Sequence, residues 1–317
     1  MGFKVIKAGM LSTIQDLGRY GYRKSGIIVS GAMDKLALRI GNLLLGNNEE
    51  EAGLEITLIG PALLFEEAQS IVLTGADLSP SIDGAPIKMW RPVFIPKGSI
   101  LTFGKPASGC RAYLSVAGGF KIKPALGSYA TYLQAGIGGW EGRALKPGDQ
   151  IPFKQPYKDK GKFNWTPDLK LYPGLNKQTV SVIAGPEFDL FTKESTAAFL
   201  SQEFSISKEN NRMGYRLDGP GIHLAENKEM LSSAVTFGTV QVPQQGKPIV
   251  LMADCQTTGG YPRIAQVITA DLSILAQKQT GSQIKFELIT LAEAQKCLQQ
   301  QEQQIQQLKN TISLKYG

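Results

Sequence analysis

The chain has 317 residues, 42% apolar and 19% charged, a soluble mixture long enough to bury a large core without disulfides or metals. Its 34 basic and 27 acidic residues leave a net charge of +7 with no Arg/Lys block interleaved with aromatics, which argues against a nucleic-acid partner. One histidine, His223, and three cysteines, Cys110, Cys255 and Cys297, without CxxC or HxxxH spacing argue against a zinc site and a disulfide framework.

The N-terminus MGFKVIKAGM lacks the apolar stretch of a signal peptide, and no run approaches the ~18 apolar residues of a membrane span. A cytoplasmic protein with no membrane partner is the expectation. Asp34 is placed to cap a helix in which Leu36, Ala37, Ile40, Leu43 and Leu44 recur at helical spacing up to Gly46-Asn47. Strand-like runs follow at 61–65, 70–74, 92–95, 99–103 and 111–116. Residues 155–178, rich in Lys, Pro, Gly and Asn, read as a linker. The strand texture returns at 179–183, 236–242, 248–252 and 283–288, with helices expected at 188–200 and at 272–277, the latter capped by Asp271.

From Leu291 the sequence turns helical and glutamine-rich, with Leu291, Leu298, Ile305 and Ile312 seven apart, Leu308 added and Gln301 interrupting. Such a narrow stripe rests either on its own domain or on another protein chain. Short strands without regularly alternating helices point to a mainly β chain with closed or partly closed antiparallel sheets. The division expected is a β-rich lobe over 1–165, a second lobe over 176–292 and a helical tail over 293–317.

Four clusters carry candidate chemistry. The densest, Asp254-Cys255-Gln256-Thr257-Thr258-Gly259-Gly260-Tyr261-Pro262, follows an apolar strand. Its glycines admit close backbone approach and its polar side chains supply donors and acceptors; the alternative is a turn bonded to itself. Asp254 is the first candidate for acid–base work. Near the N-terminus, Gln15-Asp16-Leu17-Gly18-Arg19 precedes Ser30-Gly31-Ala32-Met33-Asp34 and Asn42, and Asp34 reads either as a helix cap or as a ligand group. Arg212 and Arg216 offer planar forks for a carboxylate or phosphate, or for surface ion pairs. His223, between Ile222 and Leu224, reads first as a structural histidine and second as a base. The glycine-rich stretch 118–139 matches neither a P-loop nor GxGxxG.

Together these stretches resemble one family. The matching text includes STIQDLGRYGYRKSGIIVSGAMDKLALRIGNLLLGN, LTGAD, SVAGGF, NRMGYRLDGP and GKPIVLMADCQTTGGYPRIAQVITADLSILAQ. It is similar to the allophanate hydrolase subunit 2 family, also called the biotin-dependent carboxyltransferase or KipA family, whose bacterial members include the C subunit of a three-part 5-oxoprolinase. The resemblance implies two cyclophilin-like β-barrel lobes with a few short helices and a C-terminal helix. It also implies a KipI-like partner (subunit 1, the B subunit of 5-oxoprolinase), a further partner in the 5-oxoprolinase A subunit, and ATP used by the complex, although this chain shows no nucleotide motif. The activity implied is ATP-dependent opening of 5-oxo-L-proline to L-glutamate by a component inactive alone. A regulatory protein that sequesters its partner, or a carboxyltransferase component, are the alternatives. For a small lactam acid, Arg212 would anchor the carboxylate. Asp254 and Asp34 would be catalytic, and Gln256, Thr257, Gly259, Gly260, Tyr261 and Asn42 would bind substrate. No metal is implied. One departure is Tyr129, where family members often carry arginine.

Overall fold

Alternation of buried and exposed side chains, the pattern that gives a strand one core face, runs through much of the computed structural model of the chain. The structure describes residues 2–158, 166–226, 228 and 230–316. They form two units: one comprises the segments up to Tyr20, Ser30–Tyr172 and from Gln303 onward, the other Gly21–Val29 and Pro173–Glu302.

The first unit holds strands β1 (Gly2–Lys7), β2 (Leu11–Gln15), β3 (Gly53–Thr57), β4 (Ala62–Phe65), β5 (Gln69–Asp77), β6 (Pro80–Ile82), β7 (Ala85–Pro86), β8 (Val93–Ile95), β9 (Ile100–Phe103), β10 (Ser108–Val116) and β11 (Gln150–Pro152), with helix α1 (Lys35–Leu44). They make two antiparallel sheets, in the orders β11-β1-β4-β9-β6-β7 and β2-β3-β10-β5-β8. Phe3, Leu63, Phe65 and Leu101 from one sheet meet Ile14, Leu54, Ile71 and Leu114 from the other in a single core. β5 is buried along nearly its whole length because α1 covers its other face, Leu36, Ile40, Leu43 and Leu44 packing with Val72. Double coverage of this kind explains an apolar run without alternation. Asp34 caps α1 by accepting from the Ala37 N–H at 3.0 Å, and Gly46 ends it in the left-handed region at φ +71°.

The second unit is a closed barrel of β12 (Thr179–Ala184), β13 (Glu203–Ile206), β14 (Gly214–Asp218), β16 (Thr239–Gln241), β17 (Ile249–Leu251), β19 (Arg263–Val267) and β20 (Gln283–Leu288). Its spatial order is β12-β19-β16-β17-β14-β13-β20, and parallel pairing of β20 with β12 closes it. Strands β15 (Ser233–Ala234) and β18 (Thr258–Gly259) form a separate ribbon. Helices α2 (Lys193–Ser201) and α3 (Leu272–Ala276) belong to this unit, and α4 (Leu291–Tyr316) begins in it. Phe199 of α2 stacks on Phe286 of β20 at 4.5 Å between ring centroids, and Phe204 joins them at 5.8 Å.

The protein is therefore mainly β, as the sequence leads one to expect. Three local expectations change. The helix over 188–200 is broken: a short 3-10 turn ends before Phe191, and Thr192 caps α2 by accepting from the Ser195 N–H. Asp271 does not cap α3; its carboxylate accepts from the Ser181 N–H at 2.7 Å and fixes β12. The stripe on α4 is buried only in its C-terminal half, where Ile305, Leu308 and Ile312 join the α1 cluster of the first unit, while Leu291 is 60% exposed. Part of the expected linker, 159–165, lies outside the described residues. Among the described residues no helix is long and apolar enough to cross a membrane.

Candidate functional site

In the second unit, the chain leaving β17 places Asp254 against Arg212. The guanidinium donates through Nε to Oδ2 at 2.8 Å and through Nη2 to Oδ1 at 2.9 Å, and the Asp254 N–H returns to the Arg212 carbonyl at 2.8 Å. Both residues are buried, 6% and 5% exposed. A bidentate pair held this way fixes the direction in which the following loop leaves the barrel. The next residue, Cys255, has a thiol pushed up to about 11 by burial, so it stays protonated and is a poor nucleophile at neutral pH.

Beyond Cys255 the loop is stitched to its neighbours. The Thr257 carbonyl accepts from Arg23 Nη2 at 2.9 Å and from the Val235 N–H at 3.2 Å. Gln241 links two points of the loop, donating to the Tyr261 carbonyl at 3.1 Å and accepting from Gln256 Nε2 at 3.5 Å. A Cβ at Gly259 would come within 2.6 Å of Gln241 Nε2, so a larger residue there would have to displace this carboxamide. Arg263 is then locked to Glu187 by two hydrogen bonds of 2.8 and 2.6 Å, which hold the Glu187 carboxyl below its ordinary range.

The end of this loop opens to a cavity. Gly260, Tyr261 and Pro262 line a cleft of about 580 Å³ together with His223, Gln244 and Gln245. Tyr261 is 49% exposed. Arg212, Asp254, Gln256 and Thr257 do not line it. The structure thus divides the densest sequence cluster into a buried anchor and an open rim.

The first unit treats its candidate residues differently. Asp34 is fully buried. Beside capping α1 it accepts from the Tyr172 hydroxyl, and its N–H donates to Tyr113 Oη at 2.8 Å. Tyr113 in turn donates to Glu55 Oε2 at 2.7 Å, which also accepts from the Met33 N–H at 2.9 Å. Burial, reinforced by the Glu55 and Asp34 charges, pushes the Tyr113 phenol well up and keeps it a donor. Asn42, also fully buried, donates to the Glu51 carbonyl at 2.6 Å and accepts from Asn47, which pins the loop after α1.

The QDLGR stretch and the glycine-rich stretch prove to be one cluster. Asp16 accepts from the Gly18 N–H and Ser128 Oγ at 2.8 Å each and from the Tyr129 N–H at 2.6 Å. The fully buried Arg19 donates to the Ala125 and Ala130 carbonyls at 3.0 and 2.8 Å. Glu55, Tyr113 and Tyr172 are not among the candidates that the sequence offers. The signal that could have found them is a carboxylate inside the apolar run of β3. Asp16, Gly18 and Tyr129 of this cluster also line a smaller pocket of about 290 Å³, where Lys154 pairs with Glu51 at 2.7 Å and sits 4.9 Å over the Tyr129 ring. Among the described residues no group of three or more His, Cys, Asp or Glu side chains is arranged to hold a metal ion.

A family model for the carboxyltransferase domain, subdomain A and B, matches residues 25–288. The chain belongs to this family. Relatives within it include the 5-oxoprolinase C subunit of Escherichia coli, 43% identical across 96% of this chain and 97% of that protein. The corresponding C subunit of Haemophilus influenzae is 41% identical, covering 96% of each. The crystal structure of the K. lactis urea amidolyase superposes with a TM-score of 0.90 at 30% identity, over 97% of this chain and 20% of that much longer one. The family fold therefore occurs both as a separate chain and as one segment of a large enzyme.

Proposed function

We propose that this chain is the C subunit of an ATP-dependent 5-oxoprolinase, acting in the cytoplasm with a KipI-like B subunit and an A subunit to open 5-oxo-L-proline to L-glutamate. The observation that carries this reading is the end-to-end identity of 43% with a protein of that name. A lactam is a poor electrophile, and coupling to ATP makes its hydrolysis favourable. This chain's part is to present the lactam acid. In this reading the rim residues Gly260 and Tyr261 meet the ligand, with Gln256, Thr257 and Gly259 shaping the loop. Arg212 and Asp254 position that loop through their mutual pair, and Asp34 and Asn42 hold α1 in place.

The test is glutamate release from 5-oxo-L-proline and ATP by the purified components. Turnover is expected only when this chain is added to both partners, and none from the chain alone. Unchanged turnover without it would refute the assignment. The fit to a urea amidolyase supports a second reading, a carboxyltransferase component. Carboxylation of urea with a separate biotinylated carrier, in the absence of any 5-oxoproline turnover, would favour that one.

A further inference from the structure

His223 is not the packed structural histidine that its apolar neighbours suggest. It is exposed and lines the cleft of the second unit. Its backbone is fixed, the N–H donating to Ser195 Oγ at 2.8 Å, and its neighbour Ile222 donates to the Gly246 carbonyl at 2.9 Å. Two glycines leave room for the imidazole. A Cβ at Gly221 would come within 2.7 Å of Nε2, and one at Gly246 within 2.6 Å of Cε1. The ring therefore lies with its Nε2–Cε1 edge against these two glycines at the cleft wall, and the side chain as a whole is exposed.

The rest of the lining narrows the ligand class. Gln244 and Gln245 are exposed, and each carboxamide both donates and accepts, the complement of an amide. Lys228 supplies a cation, and among the described residues no Asp or Glu lines the cleft. Apolar walls with a few convergent polar groups are what small-molecule sites have in common. We propose that this cleft binds a small carboxylate bearing an amide, with Lys228 and His223 meeting the carboxylate and Gln244 and Gln245 the amide. Its identification with the lactam acid rests on the 5-oxoprolinase reading; its location does not.

The chain has one histidine, so imidazole NMR with only this chain isotope-labelled reports this site alone. The full-length chain, and then the complex with its partners, is titrated with 5-oxo-L-proline, 2-pyrrolidinone, cyclopentanecarboxylate and N-acetylglycine. The expected result is a saturable shift of the His223 ring signals with 5-oxo-L-proline. Binding should be about ten-fold weaker with 2-pyrrolidinone, which lacks the carboxylate, and with cyclopentanecarboxylate, which lacks the amide. Gly221→Ala displaces the ring and should raise Kd about ten-fold, and His223→Gln should lower kcat/KM in the complex by a similar factor. Calorimetric binding that leaves the His223 signals unmoved, or full kcat/KM in His223→Gln, overturns the cleft while the functional reading stands. A complex inert toward 5-oxo-L-proline overturns the functional reading instead. The cleft is then supported if N-acetylglycine moves the His223 signals and overturned if it does not.

Discussion

Asp16, Arg19 and Ser128 in the first unit and His223, Gln244 and Tyr261 in the second are all polar residues on glycine-rich segments, yet the first set is buried and the second exposed. The difference lies in what each set bonds to. Asp16 and Arg19 direct hydrogen bonds to the segment from Ala125 to Ala130, Asp16 accepting from the Tyr129 N–H and Arg19 donating to the Ala125 and Ala130 carbonyls, and so tie it to the QDLGR stretch. The rim of the cleft instead keeps side chains at the surface, on a loop that other residues hold still. Buried polar groups of the first kind carry stability, and open ones of the second kind are available for recognition.

The largest expected effect attacks the anchor beneath the cleft. Asp254→Ala leaves Arg212 as a buried cation stripped of its bidentate partner and should cost about 3–5 kcal/mol in urea unfolding. A loss below about 1 kcal/mol would mean that water already solvates the pair. Next comes α4, whose two halves offer an internal control. Ile305→Ala should cost about 2–4 kcal/mol because the residue is 3% exposed, and Leu291→Ala should stay within about 0.5 kcal/mol. Equal losses at the two positions would contradict the half-buried helix.

A smaller effect is expected within the buried network around Asp34. Tyr113→Phe removes the donor to Glu55 and the acceptor for the Asp34 N–H, and should cost about 1–3 kcal/mol. No measurable change would show that the tyrosine and its partners exchange readily with water. The weakest effect is one of pH. Arg263 holds the Glu187 carboxyl below its ordinary value, so the pair stabilises the fold above the ordinary glutamate range. That contribution disappears as pH falls through the lowered folded value. Glu187→Gln should therefore flatten the acid limb of the stability profile and leave its alkaline limb unchanged.

Much of the architecture is legible in the sequence, and the reasons are local. The capping Asp34, the helical spacing of α1 and its stop at Gly46 are short-range signals, and each appears where expected. Strands β5, β10, β12 and β20 are visible as apolar or β-branched runs. Strand β14 is hidden because its sequence carries Arg216 and borders Arg212, so charge masks its alternation. The helix expected over 188–200 is too long because helical spacing does not reveal the extended backbone at Phe191.

At the candidate site, residue types are readable but their partners are not. Arg212 and Asp254 stand far apart in sequence, and only the pairing of β14 with β17 brings them together. The same long-range pairing hides the role of Asp16, whose partners Ser128 and Tyr129 lie more than a hundred residues away. His223 reads as structural from its apolar neighbours, since nothing local reveals that Gly246 faces its ring.

The contrast between the two polar sets is tested most directly by placing Asp16→Ala and His223→Gln separately in the reconstituted complex, reading melting temperature and glutamate release on the same samples. Asp16→Ala should melt several degrees lower but turn over normally per folded molecule in the cold, whereas His223→Gln should melt like the parent but lose about ten-fold in kcat/KM. The opposite assignment, with activity lost at Asp16 and stability lost at His223, would contradict the division between buried and open polar sets.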